Sequence, residues 1–230
     1  MNMGISDSVD LGWKMAAVLQ GWGGEALLDA YEQERRPVHR RVIDAALSNV
    51  STHAIHQTIS PVLEADNEQG ATLRQQMGAV IAERRLQEFR SLGVMLGYTY
   101  DASPITAHEE GARQDIDPAM RVYTPSARPG ARAPHAWLKD GRSLYDVFGE
   151  GFTLLAFGAV DSSELERART DAESLKIPIK VLRVDDAHIA QLYERSLALI
   201  RPDQHVAWRG DGWPGVEILK RAAGRIEREA

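Results

Sequence analysis

Apolar residues recur through the first twenty positions at helical spacing. Ile5, Val9, Trp13, Ala16 and Ala17 share one face, and Leu11, Met15, Val18, Leu19 and Trp22 cover much of another. The pattern predicts a helix over 1–20, apolar on several sides and therefore buried in a larger body. Ser6 or Asp7 is the expected N-cap and Gly21 the stop. A helix start carries unpaired N–H groups and the positive end of the dipole, so it suits an anion or an electron-rich ring edge. Gly21–Ala26 spells G-x-G-x-x-A. A dinucleotide fingerprint of that form follows a strand; this one follows a helix and reads as a helix-to-helix turn.

Residues 25–36 predict a short helix, and Pro37 the first turn of a new one. Val38, Val42, Ala45, Ala46 and Asn49 continue it to about Ile59, where Ser60-Pro61 ends it. Residues 62–70 read as a loop. Leu73, Met77, Val80, Ile81 and Phe89 mark a helix over 71–91, and VMLGYTY, 94–100, reads as a strand before a turn at Asp101 to Pro104. Residues 105–134 are rich in Pro, Gly, Asp and Arg, as expected of an extended surface connector. A second pattern follows: the apolar strand Phe152 to Gly158, a helix capped by Ser163 with Glu166, the strand Ile179 to Asp185, a short helix, two strands around Pro202-Asp203-Gln204, and a last helix opened by Trp213-Pro214-Gly215. A strand–helix–strand start implies a parallel pair with a right-handed crossover, and the whole order predicts a thioredoxin-like α/β sheet.

Composition changes this picture little. The chain has 230 residues, 43% hydrophobic and 26% charged, enough for a proper core. A net charge of −6 argues against nucleic acid as a partner, and no run is apolar enough for a membrane span. With no signal peptide evident, the expected location is cytoplasmic. The absence of cysteine excludes thiol chemistry at Gly158 to Ser163, where a redox thioredoxin carries its cysteine pair. His53 and His56 lie three apart on a helix without a third ligand nearby and read as packing histidines. Arg35-Arg36 and Arg40-Arg41 read as a solvated face, and Trp137, Trp208 and Trp213 as core anchors. No G-x-S-x-G elbow frames a nucleophile, so no catalytic residue and no metal site is assigned.

MNMGISDSVDLGWKMAAVLQG followed by LLDAYEQERRPV resembles the last block of the flavin domain in FAD-dependent aromatic-ring monooxygenases. The match runs through Met1, Asn2, Gly4, Asp7, Leu11, Trp13, Lys14, Ala16, Leu27, Leu28, Tyr31, Glu34, Arg35 and Pro37, and departs mildly at Ser8 (Ala in the family), Asp10 (Asn) and Met15 (Leu). SLGVMLGYTYDASPI and PGARAPHAWLKDGRSLYDVFGEGFTLLAFG resemble the junction into that family's C-terminal domain. The resemblance implies a helical segment over 1–104 ending the flavin domain, a connector over 105–131 and a thioredoxin-like domain over 132–230. It implies FAD in the parent enzyme, NAD(P)H as reductant and O2-dependent hydroxylation of a phenolic or related ring. It places the backbone of Met1, Asn2 and Gly4 at the pyrimidine edge of the flavin ring. The segment that grips the ADP half of FAD has no counterpart, so the expectation is a truncated form that binds no FAD and is inactive alone. The alternative expectation is a non-catalytic assembly module, partnered by the missing FAD domain or a second copy.

Overall fold

The computed structural model describes residues 2–54, 60–111 and 122–226, and their side chains except at 2, 51–54, 84, 85, 87 and 88. The described chain forms two compact units: 1–37 with 98–113 and 125–230, and 38–97 with 114–124.

The larger unit is built on a four-stranded sheet. Strands β1 (Phe152–Phe157), β2 (Ile179–Val184), β3 (Leu197–Ile200) and β4 (Val206–Gly210) lie in the order β2-β1-β3-β4. β1 and β2 are parallel, and β3 runs antiparallel to both β1 and β4, with a register irregularity at Leu199/Ile200. This is the thioredoxin-like arrangement that the order of elements predicts. β1 is buried at every position because both faces are covered. Phe152, Leu154 and Ala156 enter one core cluster with Leu197, Leu199 and Leu219, and Leu155 and Phe157 enter the other with Ala198, Ile200 and Tyr193.

Two helices of the sheet domain carry caps from aspartates. Asp161, not Ser163, caps the helix Ser162–Leu175 by accepting from the Ser163 N–H, because the chain turns helical two residues earlier than the capping-box pattern suggests. Asp186 caps the helix Ala187–Tyr193. Numbered in chain order these are α5 and α6; the last helix, Val216–Ala222, is α7.

Helix α1 (Asn2–Leu19) and the start of α2 (Ala26–Ala54) belong to this same unit. Trp13, Ala17, Trp22, Leu27 and Ala30 join the core cluster of the first sheet face. The rings of Trp13 and Trp22 meet Phe152 edge-on at 6.1 and 5.9 Å. Gly21 ends α1 in the left-handed region, φ 78°. The turn then docks on the end of α7, where the Gly24 N–H donates to the Ala223 carbonyl at 2.8 Å. A Cβ on Gly24 would stand 2.1 Å from the Gly224 oxygen, so the glycine there permits a backbone-on-backbone contact. The G-x-G-x-x-A run is thus a helix-to-helix turn, as expected.

Several expectations are corrected. α1 is not apolar all round: its buried face holds Asp10, Trp13, Lys14 and Ala17, while Ile5, Val9, Met15 and Leu19 are exposed. Ser6 and Asp7 lie inside α1 and do not cap it, because the helix starts at Asn2. α2 is one helix with Pro37 inside it, not two. Residues 105–111 and 122–134 lack named elements, yet Ile105, Ala127, Ala131 and Ala133 are buried, so the stretch is built into the core. Arg35 is buried, and Trp137 is 68% exposed.

The smaller unit is helical. Residues 61–64 form a 3-10 turn capped by Ser60, and α3 (Glu68–Phe89) is capped by Asn67, so 62–70 is structured. Residues 92–96 form a short helix, α4 (Leu92–Leu96), in place of the predicted strand. An apolar run of that length fits either element; the Met95 N–H bonding back to the Ser91 carbonyl decides it locally. His53 and His56 fall outside the described side chains.

Candidate functional site

The sequence directs attention to the start of α1. The helix runs from Asn2, so the N–H groups of its first turn have no partner within the helix. Gly4 is exposed, and a Cβ built on it would meet nothing within 4 Å. Ile5 and Val9, one and two turns along, are 64% and 55% exposed. Met1 and the Asn2 side chain lie outside the described residues. What is described is an open helix start beside an uncovered apolar stripe.

A second constellation was not legible as a site. The opposite face of α1 points into a cluster of ionisable side chains shut from solvent. Lys14, fully buried, donates to Asp10 at 2.7 Å and to Glu34 of α2 at 2.5 Å. Arg201, at the end of β3, is buried to 1% exposure. Its guanidinium donates to Glu34 at 2.5 and 2.9 Å, to Asp203 at 2.5 and 3.1 Å and to Asp10 at 3.2 Å. The Trp13 indole N–H donates to Asp203 at 3.0 Å, and the Ser103 hydroxyl donates to Glu34 at 2.5 Å. The Arg201 guanidinium lies over the rings of Trp13 and Tyr100 at 5.3 and 5.2 Å. One turn towards the start of α1, Asp7 accepts from Arg35 at 2.8 Å, and Arg35 also donates to the Tyr100 hydroxyl at 3.3 Å.

The electrostatics follow from the packing. Burial pushes the Asp10 carboxyl up to about 7, helped by the charge of Asp203 and opposed by Arg201 and Lys14. Burial also pushes Glu34 up, but Arg201 and then Lys14 outweigh it, and the carboxyl is held down at about 2. Asp203, likewise opposed by burial, is held well below the carboxylate range by Arg201 and His205. Burial raises the Tyr100 hydroxyl well above its ordinary value. Among the described residues no group of His, Asp or Glu could hold a metal ion.

The cluster joins α1, α2, the segment around Tyr100 and the hairpin between β3 and β4. Its members in α1 and α2 all lie in the sequence block already singled out: Asp7, Trp13, Lys14, Glu34 and Arg35 as matches and Asp10 as a departure. The signal available in the sequence was a Trp-Lys pair and an Asp10–Lys14 pair four apart, within an otherwise apolar helix. The partner, Arg201-Pro-Asp203, reads only as a turn.

Comparison with known proteins decides the family. Residues 1–46 match the family described as FAD binding domain, and residues 126–227 match the one described as Aromatic-ring hydroxylase, C-terminal. The chain belongs to the FAD-dependent aromatic-ring monooxygenases. It is 36% identical to the FAD-dependent monooxygenase apdD of Emericella nidulans over 97% of this chain and 38% of that protein. It is 32% identical to aklavinone 12-hydroxylase RdmE of Streptomyces purpurascens over 91% of this chain and 36% of that protein. The solved structure of the rebeccamycin biosynthetic enzyme RebC with reduced flavin matches 98% of this chain and 42% of its own, at 37% identity and a TM-score of 0.86. The chain thus spans about two fifths of the length of each of these monooxygenases. No helix among the described residues is long and apolar enough to cross a membrane.

Proposed function

We propose that this chain is part of a flavin-dependent aromatic hydroxylase that uses NAD(P)H and O2 to hydroxylate a phenolic or related aromatic ring. Met1, Asn2 and Gly4 are its flavin-edge positions, and by descent the chain divides into flavin-domain helices over 1–104, a connector over 105–131 and a thioredoxin-like domain over 132–230. The observation that carries this reading is the start of α1, where a match to the FAD binding domain coincides with first-turn amides that have no partner within the helix and with an open Gly4. The residues fit the group: a planar ring edge needs close backbone approach, and a glycine with free space beside it allows that.

When bound, FAD supplies the two-electron redox chemistry and the reaction with O2. The chain's own contribution is electrostatic. First-turn N–H groups and the positive end of the α1 dipole favour negative charge on the ring edge of the reduced cofactor. The uncovered stripe of Ile5, Val9, Met15 and Leu19 is assigned to the flavin-binding body of the whole enzyme, in preference to a second copy of the chain.

The test is a titration of the purified chain with FAD, followed by flavin fluorescence and the visible spectrum. Ring-edge amides alone are expected to give no stoichiometric complex and no hydroxylation. Tight one-to-one binding by these 230 residues overturns the assignment of the remaining flavin contacts to another part of the enzyme.

A further inference from the structure

The geometry points to a proton-coupled clamp: the β3–β4 hairpin holds the flavin-edge helix through Arg201 and Asp203, and the closed cluster keeps one proton on Asp10. Arg201 and Asp203 are positioning residues in this account, acting on α1 through Asp10, Trp13 and Lys14. The link to the flavin rests on the function proposed above; the clamp and its proton do not.

The first ground is the charge count inside the closed volume. α1 contributes Asp7, Asp10 and Lys14, α2 contributes Glu34 and Arg35, and the hairpin contributes Arg201 and Asp203. Apart from His205, whose Nδ1 lies 3.4 Å from Asp203 Oδ1, three cations face four carboxylates among the described residues, leaving one negative charge in excess. Tyr31, Tyr98, Tyr100, Ser103 and Trp13 are neutral neighbours. An uncompensated buried charge is costly, and a group in that position takes up a proton instead.

The second ground is where that proton can go. Glu34 accepts from Lys14, Ser103 and twice from Arg201. Asp203 accepts from Trp13, twice from Arg201 and from the His205 backbone N–H. Among the described residues Asp10 accepts only from Lys14 and, at 3.2 Å, from Arg201. It has the fewest donors of the three carboxylates, and it is the one in which burial is not outweighed by the cations. His205 is the other candidate. Its Nδ1 lies 3.1 Å from the Asp203 backbone carbonyl and 3.4 Å from the Asp203 carboxylate, while its Nε2 is buried with no hydrogen-bond partner among the described residues, so a proton on Nε2 would donate to nothing.

The sign follows by linkage. The folded state holds the Asp10 proton more tightly than the unfolded chain, so the cluster's contribution is complete below about pH 4. It is lost as pH rises to about 7 and is then constant. The test is urea unfolding of the full chain from pH 4.5 to 8.5, for the unaltered protein and for Asp10→Asn. The asparagine keeps the shape and stands at the matching position of the family block. The difference between the two in the unfolding constant is expected to change tenfold per pH unit between about pH 5 and 7 and to level off above. A difference that does not vary with pH overturns the proposal. Carboxyl 13C titration of the folded, unaltered chain needs no variant to fold: an Asp10 signal titrating near neutrality supports the proton's placement, and one titrating in the ordinary carboxylate range overturns it. Hydrogen-exchange protection of the α1 amides, corrected for intrinsic rates, reads the clamp separately from any flavin. It is expected to fall over the same pH range in the unaltered chain and to stay level in Asp10→Asn; equal behaviour in both overturns the coupling.

Discussion

Arg201 shows how much one side chain can hold. Its guanidinium touches three carboxylates and lies over two rings, with no exposure to water. Breaking a buried ionic network by removing one partner costs about 3–5 kcal/mol, because the remaining charges stay buried without compensation. Arg201→Leu is therefore expected to lower unfolding free energy by about that amount in urea titration. Its acid limb should also move. In the intact cluster Glu34 is held at about 2, so its contribution is present above its usual value of 4.5 and lost as pH falls through about 2. Without Arg201 the upward push of burial prevails, and the loss of stability that Glu34 causes between about pH 4.5 and 2 should shrink or disappear. An equally steep fall in stability over that range in both forms would show that Arg201 does not set the state of Glu34. None of this was legible in the sequence beyond Lys14, Glu34 and Arg35 as members of a block. Charge on a helix reads as solvated until the partner is known, and here the partner is 167 residues away from Glu34.

At the scale of elements, periodicity found most of what packs on the sheet. β1, β2, α5 and the β3–β4 hairpin fall within a residue or two of expectation, because each is a short apolar run bounded by turn residues. It failed where a rule of thumb met tertiary support. Pro37 is tolerated inside α2 although proline removes a hydrogen bond from a helix interior. The run at 94–100 gave α4 at its start and only an isolated antiparallel bridge, Thr99 with Ala131, at its end. The helix-to-helix turn has a role its sequence pattern hides: Gly24 lets the backbone reach the end of α7. Gly24→Ala is expected to destabilise the chain by roughly 1–3 kcal/mol, since either the turn or α7 must shift. Gly21→Ala, strained by its positive φ but with nothing within 4 Å, separates strain from crowding. If Gly24→Ala costs no more than Gly21→Ala in thermal unfolding, the close approach does not matter to stability.

For the molecule as a whole, the sheet domain forms one unit with α1 and the start of α2, although the two parts match different family models. That physical union explains what a cysteine-free thioredoxin-like domain contributes: one face of its sheet packs against Trp13, Trp22 and Leu27, and its hairpin closes over the ionic cluster. The family, the FAD association and the α/β fold were legible because they rest on a contiguous block and a regular order of elements. The union was not, because it depends on contacts between residues far apart in the chain. The central claim remains that the start of α1 faces a flavin. The most direct measurement replaces the matching stretch of the 36% identical monooxygenase with this chain and compares FAD affinity with Gly4 and with Gly4→Leu. In the chain alone that substitution meets open space on an exposed helix and should leave stability equal or higher. In the FAD-bound chimera the account predicts a marked loss of flavin affinity; equal affinity for both forms would contradict it.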